Sequence, residues 1–409
     1  MNALMLLMAV AMLLCNITQA QWQLYNSSNS PLPNNNVHAM AIDSAGYVWI
    51  GTENGLARLD GANWQVYNSG NSPLPSNQIR SLAIDTGGNV WVGTFTGGVS
   101  IYNGQSWVTY HTGNSTLPDN HIRCISFDTT GAAWLGTSGG VCWQSDEGWV
   151  NYNMFNSPLT SNNITHVYTD SSNVKWLGTI NGGMVKKDGN NWTVYNTQNS
   201  GMEDNTVLDI QHDLLGNIWF TTPAHGIGRY NGSNWFYRLQ SNSAIPTNAT
   251  TCLHIGANDV KYIGTTDKGL VRWDNGLQFD SFTVNNSPMP DNHVTCLVQQ
   301  ADGRLWIGTN GGGVAVYTDT SLQTGINAIA TAQLSGYPNP ATNILTIESS
   351  QPLQQLCITD LTGKQIPVPV VQSHHNRIGL SVAQLTAGMY IVSGTYQGRN
   401  YTTRFIKTN

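Results

Sequence analysis

Charge is scarce in this sequence: 17 Lys and Arg and 23 Asp and Glu among 409 residues give a formal net charge of −6. No run of either sign occurs, which argues against nucleic acid or an anionic membrane as a partner, since both demand clustered cations. Cysteine is equally sparse. Setting Cys15 aside, Cys124, Cys142, Cys252, Cys296 and Cys357 form no close pair, so neither a disulfide framework nor a zinc site is expected. Long hydrophobic runs are missing too. The one apolar stretch, Ala3 to Leu14, falls short of the about 20 residues that span a bilayer, and Thr18-Gln19-Ala20 follows it like a signal-peptidase site. Residues 1–20 therefore read as a cleaved export signal, with lipidation at Cys15 as the alternative, and the mature chain is expected to hold no transmembrane segment. Catalytic signatures are lacking: there is no Gly-x-Ser-x-Gly, no His-Glu-x-x-His and no pair of carboxylates at repeat-equivalent positions. No cofactor, metal or catalytic residue is assigned.

What the sequence has in quantity is glycine, tryptophan and self-similarity. Trp-[Ile/Val/Leu]-Gly-Thr begins at Trp49, Trp91, Trp134 and Trp176, returns in variant form at Trp219 and Tyr262, and again at Trp306, at intervals of 42 to 44 residues. A second series, an aromatic followed three residues later by Tyr, starts at Trp22, Trp64, Trp107, Trp149 and Trp192, with weaker copies at Trp235 and Phe279. A third is an Asn in a turn-rich loop: Asn35, Asn77, Asn120, Asn162, Asn205, Asn248 and Asn292. Each copy resolves into four short β segments, and units of that length and content are propeller blades. The fold class expected is all-β: a seven-bladed β-propeller over residues 21–318, a linker at 319–336, and a small Ig-like β-sandwich at 337–409. Because the chain enters on a lone fourth strand (Trp22 to Asn26) and the last unit stops after its third (Val314 to Thr318), the N-terminus is expected to complete the last blade.

These motifs resemble the two-component regulator propeller repeat, carried by Leu74-Pro75-Ser76-Asn77, Asp85 to Thr94 and Gly98 to Tyr102. In that family the propellers serve as sensor halves of hybrid histidine kinases that respond to polysaccharide fragments. No kinase follows here, so binding of a glycan, without direct signalling, is what the resemblance implies. The C-terminal segment looks like the sorting domain of type IX secretion in Bacteroidetes, carried by Tyr337-Pro338-Asn339-Pro340, Asp360 to Lys364, Leu385 to Tyr390 and Arg404 to Lys407. That resemblance implies the type IX machinery as a partner, export through the periplasm, and a final place at the cell surface or in the medium.

Propeller ligands sit in the central funnel, lined by first strands and the loops at its entrance. Five residues before the Asp that ends the first strand stand His38, Arg80, Arg123, Thr165, Leu208, Thr251 and Thr295, and two residues earlier His121 and Gln78. His38, Arg80, Arg123 and His121 are expected to form one polar wall suited to a carboxylate- or sulfate-bearing ligand; the competing reading makes them interblade residues bonded to backbone or water. Loops between second and third strands add Glu53, Phe95, Ile180, His225, Asp267 and Lys268, the last two equally readable as solvated surface charges. The tryptophans are assigned to the interblade core and carry no evidence for sugar. Asp209 is the one odd buried-type carboxylate, with His254 or His212 as its expected neighbour. The role expected is that of a secreted or surface binding module for an extracellular glycan or a surface protein; the alternatives are a polysaccharide lyase or hydrolase working in the funnel, and an orphan sensor lobe.

Overall fold

The computed structural model describes residues 21–256, 258–276, 279–319, 334–337, 339–349, 354–360, 364–367, 369–374, 377–396 and 399–408. The expected signal segment, Cys15 and most of the expected linker lie outside the described residues. Among those described, every regular element is a strand, and no helix is long and apolar enough to cross a membrane. The chain divides into two compact units, Met1–Leu322 and Gln323–Asn409.

The first unit holds seven four-stranded antiparallel sheets, numbered here in chain order by their opening strands: Val37–Ile42, Ile79–Ile84, Ile122–Phe127, Ile164–Thr169, Asp209–His212, Thr250–Ile255 and Val294–Gln299. Six are consecutive meanders. The seventh takes its outer strand from Gln21–Tyr25, which pairs with Val314–Thr318 from the other end of the unit. Each opening strand lies beside that of the next sheet, and the seventh lies beside the first, so the inner strands close a ring.

The repeated residues explain this arrangement. In the second sheet, Asp85 ends the opening strand, and its carboxylate accepts the turn amides of Gly87 and Asn89 and, at 3.0 Å, the indole N–H of Trp91. A buried Trp needs a partner for that N–H. The same bond recurs from Trp49, Trp134, Trp176 and Trp219 to Asp43, Asp128, Asp170 and Asp213, and Trp306 uses Gln300 instead. The loop Asn works between sheets: the Asn77 side-chain oxygen accepts the Ser69 amide, while its carbonyl accepts the Gly55 amide of the preceding sheet. The apolar residues of the same loops, such as Leu32, Leu74 and Leu117, fill the space between adjacent sheets.

In the second unit, two four-stranded sheets contribute to one hydrophobic cluster that includes Leu345, Ile347, Ile358, Leu380, Val392 and Phe405. Asn339 accepts the Ile406 amide at 2.8 Å, which ties the Tyr-Pro-Asn-Pro segment to the final strand.

Candidate functional site

Along the axis of the ring, the opening strands enclose a cavity of about 270 Å³. Its position is set by a β-bulge. In six of the seven opening strands the ladder skips at the second or third residue, for example between Ile79 and Ser81, so that Arg80 pairs with nothing. A bulge re-aims the extra side chain. At this place Thr165, Thr251 and Thr295 donate their hydroxyls to the carbonyls of Val207, Val294 and Val37, stitching each sheet to the next. His38, Arg80 and Arg123 occupy the same place in sheets one to three and make no such stitch. All three line the cavity.

Their side chains join a network at its mouth. Glu53, from the loop after Thr52, lies 2.7 Å from His38 Nε2 and 3.0 Å from Arg80, and it accepts a hydrogen bond from Gln78 at 2.5 Å. Arg80 Nη1 also donates to His38 Nε2 at 2.8 Å. The two contacts compete for one nitrogen, because arginine can only donate to it and a carboxylate can only accept from it. Burial and then the Arg80 charge hold the His38 imidazole below its ordinary pKa, against the pull of Glu53. Burial raises the Glu53 carboxyl, but the His38 hydrogen bond, the Arg80 charge and Gln78 together keep it below the usual carboxylate range. The Arg80 guanidinium lies over the Phe95 ring at 5.0 Å, Phe95 meets His121 edge-on at 4.4 Å, and Ser138 bridges His121 (3.1 Å) and Arg123 Nε (3.2 Å). Burial, then Arg123 and Arg80, push the His121 imidazole down to about 4.

Thus His38, Arg80, Arg123, His121, Glu53 and Phe95 are brought together. Ser138, which the sequence reading passed over, occupies the repeat position of Glu53 and Phe95 and is found by completing that row. The wall is not uniformly basic: Glu53 is shared by His38 and Arg80, whereas among the described residues Arg123 has no carboxylate in an ion pair. The other loop candidates stand apart. His225 pairs with Asp204 at 3.1 Å, Asp267 and Lys268 are exposed, and none of the three lines the cavity.

Asp209 does line it, but not with the expected neighbours. Its Oδ2 accepts the Leu253 amide at 2.9 Å, and His166 Nδ1 lies 3.2 Å from Oδ1. His254 instead meets Gln299 at 3.2 Å, and His212 bonds the Tyr168 hydroxyl. His166 and Asp209 occupy the same repeat position in adjacent sheets, so ring neighbours pair where neighbours on one strand do not. Cys124, Cys252 and Cys296 share that position; burial pushes the Cys124 and Cys296 thiols up to about 12, which leaves them unreactive at neutral pH.

Sheets of this kind around a central channel define a β-propeller. Residues 31–54, 73–96 and 288–311 match the family model of the two component regulator propeller, and residues 335–408 match that of the secretion system C-terminal sorting domain. The chain therefore carries two-component regulator propeller repeats and a type IX sorting domain, which implies secretion to the cell surface or outside. Among solved structures, the extracellular domain of the putative hybrid two component system BT3049 from B. thetaiotaomicron superposes with a TM-score of 0.65 at 17% identity, over 95% of this chain and 57% of that one. PorZ, a surface component of the type IX secretion system of Porphyromonas gingivalis, gives 0.57 at 16% identity over 92% of this chain and 60% of that one. The chain thus spans less than two thirds of either. Virginiamycin B lyase from Staphylococcus aureus gives 0.60 at 14% identity, over 73% of this chain and 99% of the enzyme. At these identities the likeness is one of fold. No curated protein matches the sequence.

Proposed function

We propose that this chain is a ligand-binding module at the cell surface or in the medium, whose channel mouth in sheets one to three holds an anionic glycan. The observation that carries this reading is the replacement at the bulge. Where three other sheets spend a threonine on ring closure, the first three present His38, Arg80 and Arg123 to the cavity. Arg123 supplies a guanidinium that has no ion-paired carboxylate among the described residues, suited to a carboxylate or sulfate group. The Arg80–Glu53–Gln78 cluster supplies donors and acceptors for sugar hydroxyls. When an anion takes Arg80, His38 Nε2 is free to donate to Glu53, and the competition for that nitrogen ends. On the same reading the seven sheets are the blades of a seven-bladed propeller, the C-terminal sheets an Ig-like sandwich, residues 1–20 an export signal, and export passes through the periplasm.

The test is titration calorimetry of the purified protein with uronate and sulfated polysaccharides. Saturable binding that weakens at least tenfold in Arg123→Ala supports the reading. Binding indifferent to that substitution, or absent across the acidic glycans, overturns it and directs the search to a surface protein, as the likeness to PorZ suggests. The enzyme reading rests on His166 and Asp209 facing the same cavity as Arg123. Released oligosaccharides, abolished by His166→Ala, are its signature.

A further inference from the structure

A second cavity, of about 300 Å³, lies on the same unit between the fifth and sixth sheets, away from the channel residues. It sits where the repeat breaks its own rule. At six of the seven sheet junctions, the aromatic that ends the outer strand meets the outer-strand Trp of the next sheet edge-on: Tyr25 with Trp64, Tyr67 with Trp107, Tyr110 with Trp149, Tyr152 with Trp192, Tyr195 with Trp235, and Phe282 with Trp22, at 5.2 to 5.9 Å. At the seventh junction the residue in this register is Arg238. Its exposed guanidinium lies over Trp273 of the next sheet at 5.6 Å, and the crevice opens at this junction.

A second guanidinium lines the crevice. Arg229 is sandwiched between Phe236 (4.4 Å) and Trp219 (5.5 Å), and its Nε is buried without a hydrogen-bond partner. The molecule supplies its own template for what such a group takes. Arg272 holds the equivalent register one sheet on, and its Nε binds the Asp319 carboxylate at 2.6 Å. No carboxylate reaches Arg229 or Arg238 among the described residues. Of the two acidic side chains of the crevice, Asp213 is committed to its own turn and Trp219, and Asp259 binds the buried Lys261 at 2.9 Å through Oδ2, while its Oδ1 is buried without a hydrogen-bond partner. In a chain of net charge −6, two guanidiniums held on aromatic faces and lacking an acceptor form a local anion site.

We propose that this crevice binds a small ligand with a flat apolar ring and a carboxylate, the carboxylate bridging Arg229 and Arg238 and the ring packing against the edges of Phe236 and Trp273, whose faces the guanidiniums cover. The volume is at the lower end for small-molecule sites, which suits a ligand of one or two rings. The inference is independent of the channel.

The probe is 2-naphthoate, with 2-naphthalenemethanol as its neutral isostere, titrated by calorimetry into the purified full-length protein. Saturable binding of the acid at least tenfold tighter than of the alcohol is expected. Arg238→Tyr restores the residue of five of the other six junctions and closes the crevice, so this variant is expected to fold with an unchanged or raised Tm and to lose the acid at least tenfold. Arg229→Met, which keeps the stem between the rings, is expected to lose it equally. Lys186→Met removes a cation stacked on the equivalent Trp176 and is expected to leave binding unchanged. Equal affinity for acid and alcohol, undiminished binding in Arg238→Tyr, or no saturation in the wild type overturns the proposal.

Discussion

In five of the seven sheets a single carboxylate ties the first turn to the buried Trp. Asp85 accepts two backbone amides, the Asn89 side-chain amide and the Trp91 indole, between 2.8 and 3.0 Å. Removing it in Asp85→Ala strands the indole N–H of the buried Trp91, at about 1–3 kcal/mol, and frees the partly buried Asn89 donors, so urea unfolding is expected to show a loss of roughly 1–3 kcal/mol. The same bonds set an acid limit. Burial raises the Asp128 carboxyl, yet hydrogen bonds from Thr130 and Trp134 and the charge of Lys175 bring it down to about 2. A folded-state value below the unfolded one, about 3.9, stabilises above that pH and is lost as pH falls through the folded value. Stability is therefore expected to decline between about pH 4 and pH 2, and less steeply in Asp128→Asn, as followed by thermal melts across that range. His121 gives a binding signature of the opposite sense. Its imidazole is depressed to about 4 in the free protein, and a bound sulfate raises it, so binding takes up a proton. Affinity for a sulfated glycan, whose own charge is constant, is expected to rise as pH falls from 6.5 toward 4, and the slope is expected to be reduced in His121→Asn, with the remainder due to His38. The spacing of six at which Asp precedes Trp was legible, although the bond between the two was not drawn from it. The meeting of Glu53 with His38 and Arg80 was not, because each occurs once and the contact crosses from one sheet to the next.

At the scale of the strand, the bulge decides what the sequence can reveal. Alternation assigns residues i and i+2 to one face, which separates Arg123 from Cys124 and unites Arg123 with His121. The structure instead places neighbours such as Arg123 and Cys124 together on the cavity, because the skipped residue shifts the period. The register of each column in the repeat survived this, since six of the seven copies bulge at the same place; the facing of single side chains did not. The glycine of Trp-[hydrophobic]-Gly-Thr belongs to the same geometry. A Cβ at Gly93 would run into Ser81 Oγ and stand 2.8 Å from Ile122 Cγ2 of the next sheet, where Ser81 bonds the Ile122 carbonyl at 3.0 Å. Gly93→Ala forces sheets two and three apart. A loss of about 1–3 kcal/mol is expected from overpacking, and, because the shift displaces Arg80 and Arg123 together, glycan affinity is expected to fall with stability. Unchanged affinity in a destabilised Gly93→Ala would show that the mouth of the channel is insulated from the packing of the ring.

For the propeller unit taken whole, the chain must bring back its beginning to finish its end. Seven opening strands form a closed cycle, but the seventh sheet has only three strands of its own. Gln21–Tyr25 fills the gap by five paired residues along Val314–Thr318, and its rings lock into both sides: Trp22 against Phe282 and Tyr317, Tyr25 against Trp64 and Trp306. The sequence announced this closure by its phase, a fourth-strand motif standing before any first strand. Deleting residues 21–26 removes one strand of 28 in the ring, yet it unpairs the full edge of Val314–Thr318 and opens the seams to sheets one and six together. Two consequences are expected that no single substitution produces. Calorimetry should record a drop in Tm well beyond that of Gly93→Ala, and size-exclusion chromatography should record self-association, since an unpaired strand edge recruits another chain. Addition of a peptide spanning residues 21–30 in trans should restore the monomer. A deletion variant that stays monomeric with an unaltered melt would mean that the ring holds by its inner strands alone.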